Sequence, residues 1–306
     1  MPRSARRKHP TAIYHAMCRS ISEFTLFQSD DDKEYFLNLL QRYKEKFKCK
    51  IYAYCLMDNH YHIHLDTCGF DISKFMQAVN LAYVRYVNIK YKRRGPLFAD
   101  RFNSKIITDD RYNLTVSAYI HNNVKDLPGY EGKEFQYPYS SMGIYLGIRK
   151  DYRNLIDTNF VLGSLDENNR KRAVTAYVDM VKQKLEVGID MKLKAYLEEF
   201  SKEQYTYKSY REIILRDKKP EEVINFIARR FGMSETKGMM DKWKRSATGF
   251  RSAVSYALTT FCGLGYTDVC KRMNNITASC CARLSRKGCE AFGGSDIFKE
   301  MLLELG

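Results

Sequence analysis

The chain has 306 residues, a formal net charge of +15 and a sequence pI of about 9.3. Hydrophobic residues make up 44% and charged residues 28%, the balance of a folded chain long enough for one large domain or two ordinary ones. No apolar run reaches the ~18 residues of a membrane span, and no apolar stretch follows the basic start "MPRSARRKHP" as a secretory signal requires, so the expectation is a cytoplasmic protein whose charge favours a polyanionic partner, usually nucleic acid.

In chain order, residues 11–18, "TAIYHAMC", read as a strand. "SDDDKEYFLNLLQRYKEKF" opens with a capping signal and acids and closes with bases, which predicts an amphipathic helix over 31–47. "KIYAYCLM" (50–57) and "HYHIHLDT" (60–67) both alternate, with turn residues Asp58 and Asn59 between them, the pattern of a hairpin. "ISKFMQAVNLAYVRYVNIKY" (72–91) has helical apolar spacing. "NSKIIT" (103–108) is a short strand, and 109–123 a further helix capped by Thr108 or Asp109. The order β-α-β-β-α-β followed by a helix predicts an α+β chain that begins with a ferredoxin-like split βαβ, an antiparallel sheet with helices on one face and a site on the other.

After "YPYSS" (137–141) the character changes to helices with polar breaks. "DENNRKRAVTAYVDMVKQKL" reads as a connecting helix, and a helical series follows: "KPEEVINFIARRFGM", "FRSAVSYALTTFCGLG", "TDVCKRMNN" and "TASCCARLSRKG". The last two, joined by "NNI", predict a helix-turn-helix with Ile276–Gly288 as recognition helix, an ordinary helical bundle being the rival reading. The expected division is a catalytic domain over 1–150, a helical connector over 151–215 and a helical DNA-binding domain over 216–306. Nine cysteines include no C-x-x-C pair, and the cluster Cys262, Cys270, Cys280, Cys281 and Cys289 fits no common zinc spacing. They read as small buried apolar residues or reduced thiols.

Half of the six histidines fall in "MDNHYHIHLD". On a strand His60, His62 and His64 share one face, successive members roughly 6.5–7 Å apart. Two imidazoles at that spacing can lean together on one cation at about 2.1 Å from each nitrogen. Alternation alone does not choose between His60 with His62 and His62 with His64. Asp66 lies beside the run. A second candidate is "SAYIHNNV" (117–124), where Tyr119 and Asn123 stand four residues apart on one helix face. A tyrosine hydroxyl is a poor nucleophile at its ordinary pKa of ~10, a handicap that a nearby divalent metal offsets. An asparagine oxygen one turn later suits a hard ion such as Mg²⁺ or Mn²⁺. For any single tyrosine among 23, a place in the core is the simpler reading.

Taken together, "MPRSARR", "YHAMCRS" (14–20), "CLMDNHYHIHLDT" (55–67), "GPLFADRFNSKII" (95–107), "AYIHNN" (118–123) and "YPYSSMGIYLG" (137–147) resemble the REP-associated tyrosine transposases, within the single-tyrosine transposases that carry a His-hydrophobic-His motif. The resemblance covers about residues 1–150. It implies His60 and His62 as metal ligands, Asn123 as a third, and Tyr119 as nucleophile. It leaves His64, at a usually aliphatic position, with Asp66 as a supporting pair behind the ligands. Two departures are visible: Asp58 stands for the family's proline before Asn59, and Val124 for the proline that commonly follows the asparagine. Residues 220–290 resemble, more loosely, the duplex-DNA-binding helical domain of bacterial replication initiators.

The implied activity is metal-dependent cleavage of single-stranded hairpin DNA and strand transfer through a 5′-phosphotyrosine, with Mg²⁺ or Mn²⁺ as cofactor and no membrane partner. Arg93, Arg94, Arg101 and Lys105 are candidate DNA contacts near the site. Arg283, Arg286 and Lys287 are candidates for duplex DNA. Relatives include monomers and homodimers that share sites. The rival class is a non-catalytic DNA- or RNA-binding regulator.

Overall fold

The fold is that of a computed structural model, which describes residues 9, 12–107, 109–186, 216–234, 245–273 and 276–305. The basic start, Thr108, residues 187–215 of the expected connector and the Asn274–Asn275 turn of the expected helix-turn-helix lie outside the described residues. The described residues form two compact units, one drawn from 1–44 and 49–212, the other from 45–48 and 213–306.

In the first unit β1 (Ile13–Arg19), α1 (Asp30–Phe47), β2 (Lys50–Met57), β3 (His60–Asp66), α2 (Ile72–Lys90), β4 (Asn103–Ile107) and α3 (Asp110–Asn122) follow the predicted order within a residue or two at each end. The strands make one antiparallel sheet in the order β2-β3-β1-β4, the split βαβ arrangement of an α+β fold. Local chemistry sets the helix starts. Asp71 caps α2 by accepting from Ser73 N, and Asp109 caps α3 by accepting from Tyr112 N. In the first turn of α1, buried Asp32 accepts from the backbone N–H of Gln28 and of Ser29. The same carboxylate takes hydrogen bonds from Tyr86, Lys90 and Tyr91 at the end of α2, tying the two helices together.

Alternation along β3 splits its residues between two faces. Tyr61, Ile63 and Leu65 are fully buried on the side of α1 and α2, where the Tyr61 ring meets Phe36 at 4.7 Å and Phe36 meets Tyr83 at 5.1 Å. The sequence pattern left the opposite face open. Here α3 lies across it against β2 and β3. Helical spacing identifies the apolar side of a helix but not the side of the sheet it covers, and α3 is buried on more than one side. Its outer side is in turn packed by α6 (Arg170–Glu186). Asn122 Nδ2 donates to Val181 O at 3.2 Å, and Ser117 Oγ pairs with Tyr177 OH at 2.7 Å.

Before α6 come two short helices, α4 (Met142–Tyr145) and α5 (Asn159–Gly163). The stretch through "YPYSS" covers the outer edge of β2: Leu56 N donates to Tyr139 O, Ser141 N to Tyr54 O, and the hydroxyls of Tyr137 and Tyr145 to Leu56 O and Tyr52 O. An edge strand left bare would be a template for unwanted pairing.

The second unit is helical: α7 (Pro220–Phe231), α8 (Arg245–Thr260), α9 (Tyr266–Met273), α10 (Ala278–Phe292) and α11 (Asp296–Glu304). Its core includes Ile227, Phe250, Val254, Tyr256, Phe261, Met273, Phe298 and Met301. Buried Cys281, Ser285 and Gly288 bring α10 close to α8: Ser255 Oγ donates to Cys281 O, and Thr259 Oγ1 pairs with Ser285 Oγ. A β-carbon on Gly288 would sit 2.1 Å from Ser252 O, so only glycine fits at this approach. All nine cysteines are free thiols. No helix among the described residues is long and apolar enough to cross a membrane.

Candidate active site

The sheet register sets the site. Across from β3 on β1, His60 faces Arg19, His62 faces Met17 and His64 faces His15. The His60 and His62 rings approach edge-on with centroids 5.0 Å apart. Each has its Nδ1 engaged. His60 Nδ1 is 2.5 Å from Asn59 Oδ1, and His62 Nδ1 is 2.9 Å from His15 Nε2. With Nδ1 of His62 committed, Nε2 is the nitrogen of that ring left to meet a ligand.

From the other side α3 delivers Tyr119. Its ring meets His62 edge-on at 5.6 Å and His15 at 5.7 Å between centroids. Burial pulls the His62 imidazole well below its ordinary pKa, and the neighbouring His15 and His60 add to the effect. Burial, with the Lys105 charge added, brings His15 down to about 4. At neutral pH both rings are therefore uncharged, the form that binds a metal.

His64 continues the same face but is fully buried, and neither of its ring nitrogens has a hydrogen-bond partner. The Tyr52 ring stands 5.2 Å from it. Asp66 accepts from Tyr52 OH at 3.2 Å and from Cys68 N at 2.8 Å. At the end of α3, Asn123 Nδ2 donates to Tyr119 O at 2.8 Å and Ile120 O at 3.4 Å, which closes the helix and leaves the amide oxygen as its remaining acceptor. Among the described residues no group of three or more His, Cys, Asp or Glu side chains is placed to hold a metal ion. The set expected from the sequence has only two such residues and completes itself with an amide. Two imidazoles and an amide oxygen are donor types that fit a divalent cation.

Behind α3 a buried chain of hydrogen bonds fixes the helix. Ser117 Oγ pairs with Tyr177 OH, Tyr177 OH with His121 Nδ1 at 2.8 Å, and His121 Nε2 with Ser141 Oγ at 2.7 Å. Ser117 and His121 flank Tyr119 at two residues on either side. They anchor the back of the helix while Tyr119 faces the histidines. Sequence reading missed His121 and Tyr177 in this role. It also missed His15, although "YHAMCRS" contains it.

Residues 8–123 match the family described as "Transposase IS200 like". The matched segment contains His15, His60, His62, Tyr119 and Asn123. The chain is also similar to a solved structure described as "Structure of the REP associates tyrosine transposase bound to a REP hairpin", at 13% identity and a TM-score of 0.41, covering 52% of this chain and 90% of that one. No curated protein matches the chain.

In the matched segment the four basic candidates divide. The Arg93 guanidinium donates to Asn88 Oδ1 and Pro96 O and lies 4.3 Å from the Phe24 ring centroid, so it braces a loop. Arg94, Arg101 and Lys105 are exposed. Lys105 is the β4 partner of His15, which puts it on the site's face of the sheet. Arg19, exposed and directly across from His60, is a further cation on that face which the sequence reading passed over. Outside the segment, Arg283, Arg286 and Lys287 are exposed on one side of α10, opposite buried Leu284 and Gly288.

Proposed function

We propose that the chain is a single-strand DNA transposase or endonuclease whose nucleophile is Tyr119. The observation that carries this reading is the Tyr119 ring set edge-on against His62, whose ring neighbours His60, within a segment that matches a transposase family. His60, His62 and the Asn123 amide oxygen would hold Mg²⁺ or Mn²⁺. When bound, the cation supplies Lewis-acid polarisation of the scissile phosphate.

The chain's own residues do the rest. The Tyr119 phenol oxygen forms a bond to phosphorus while the bond from phosphorus to the 3′ oxygen breaks. The products are a 5′-phosphotyrosine and a free 3′-OH, which takes up the proton lost by the phenol. Attack of a 3′-OH on the phosphotyrosine reverses the balance and rejoins DNA, with no nucleotide cofactor. Lys105, Arg19, Arg94 and Arg101 supply cations for the strand's phosphates. The sequence resemblance favours hairpin-bearing single strands, and a REP hairpin is what the similar solved structure holds.

The second unit is assigned to duplex DNA through α10, on the strength of the three exposed cations along one side of that helix. A non-catalytic regulator would use this surface alone. The deciding experiment incubates the full chain with Mn²⁺ and single-stranded hairpin oligonucleotides. A covalent protein–DNA band is expected. Binding without any adduct or cleaved strand would favour the regulator.

A further inference from the structure

His62 carries a hydrogen-bond partner that no sequence motif announces. His15 reaches it from β1, forty-seven residues away in sequence, with Nε2 2.9 Å from His62 Nδ1 and the two rings stacked at 5.2 Å. Both side chains are buried, so water offers little competition for this bond. His60, the neighbouring ring, is held at the same atom by Asn59 Oδ1. An amide oxygen can only accept, so His60 carries its proton on Nδ1. For His62 the partner is a second imidazole, which can donate or accept. The choice decides whether His62 Nε2 bears a lone pair or a proton.

We infer that His15 is a positioning residue that accepts from His62 Nδ1–H, and so holds His62 as the tautomer whose Nε2 is free to ligate a divalent cation. His15 then carries its own proton on Nδ1. Both ligating rings share one tautomer and present matching nitrogens. This is the tautomer that a free neutral imidazole side chain disfavours in water, which is why a fixed partner matters. The inference rests on the reading of His62 as a ligand given above. A residue behind a ligand typically changes metal affinity by about 10–100-fold when it is removed.

Two measurements on the full chain test it. In the metal-free protein, nitrogen-15 NMR of the imidazoles should show His62 with an unprotonated Nε2 and a protonated Nδ1. A proton on His62 Nε2 overturns the proposal, and this measurement needs no variant. In the second, binding of Mn²⁺ alone is followed by the loss of its free EPR signal. His15→Leu should weaken binding by about 10–100-fold, while His15→Gln, whose amide reaches about as far as Nε2, should recover most of it. His62→Ala serves as the reference. If His62→Ala loses Mn²⁺ and folded His15→Leu binds like wild type, His15 has no such role. If His62→Ala itself binds like wild type, the reading of the site fails and the proposal falls with it.

Discussion

The Tyr119 and His62 rings meet edge-on, nearly perpendicular, with their centroids 5.6 Å apart. One comes from a helix and the other from a central strand, and both belong to the same chain. If Tyr119 is the nucleophile, Tyr119→Phe removes the oxygen that bonds to phosphorus and keeps the ring. The expected result is complete loss of the covalent adduct on a hairpin oligonucleotide with Mn²⁺, with oligonucleotide affinity in a gel-shift assay kept within a few-fold. Persisting adducts would move the nucleophile elsewhere.

The three histidines of β3 should behave differently. His60→Ala or His62→Ala is expected to abolish metal-dependent cleavage. His64 is buried with both nitrogens unpartnered, which is a cost rather than a contact. His64→Leu should therefore fold, cleave, and melt no lower than wild type. An inactive but folded His64→Leu beside an active His60→Ala would show that the ligand pair lies two residues further along.

Acid should destabilise the first unit before it protonates most carboxylates. Burial lowers His15 to about 4 and His121 to about 3, and it lowers His62 and His64 well below the ordinary value. A folded-state pKa below the unfolded one means that the unfolded chain binds protons first as pH falls. Stability should decline from about pH 6.5, the ordinary histidine value, down to the folded values near 4 and 3. Urea midpoints taken at pH 7.5, 6 and 4.5 would measure it, and a flat profile would contradict the burial described.

Tyr177 holds two buried groups at once, Ser117 Oγ and His121 Nδ1. Tyr177→Phe keeps the ring and strands both partners. A cost of about 1–3 kcal/mol in unfolding free energy is expected for an unsatisfied buried group. Adduct formation should slow as well, because these bonds anchor the back of the helix that carries Tyr119. An unchanged melting temperature with unchanged adduct rate would separate the network from the site.

In the second unit, Gly288→Ala forces a β-carbon onto Ser252 O. Overpacking of this kind costs about 1–3 kcal/mol or more. Duplex binding should fall with the folding of the unit, read by circular dichroism and gel shift, while Tyr119 adducts persist on single strands.

The four strands and the helices α1, α2 and α3 of the first unit were readable from the periodicity of their apolar residues. His60, His62, Tyr119 and Asn123 stood out in the sequence because regular spacing and family likeness coincide there, and the structure makes the His60, His62 and Tyr119 rings neighbours. His15 was not. A lone histidine in an apolar strand carries no spacing signal, and its partner is fixed only by the sheet register. Nor was the side of the sheet that α3 covers, since the helix is buried on two sides and its sequence has no clear polar face. The stretch that shields the edge of β2 has no repeat to detect; it is held by tyrosine hydroxyls reaching backbone oxygens.

The packing of α6 onto α3 sets a practical boundary. The family match ends at residue 123, yet the hydrogen bonds that seat the helix before it come from Ser141, Tyr177 and Val181. A polypeptide trimmed to the matched segment would keep His60, His62 and Tyr119 and lose the scaffolding that seats the helix of Tyr119. Whoever wishes to study the chemistry in isolation should retain the chain through Glu186, the last residue of α6.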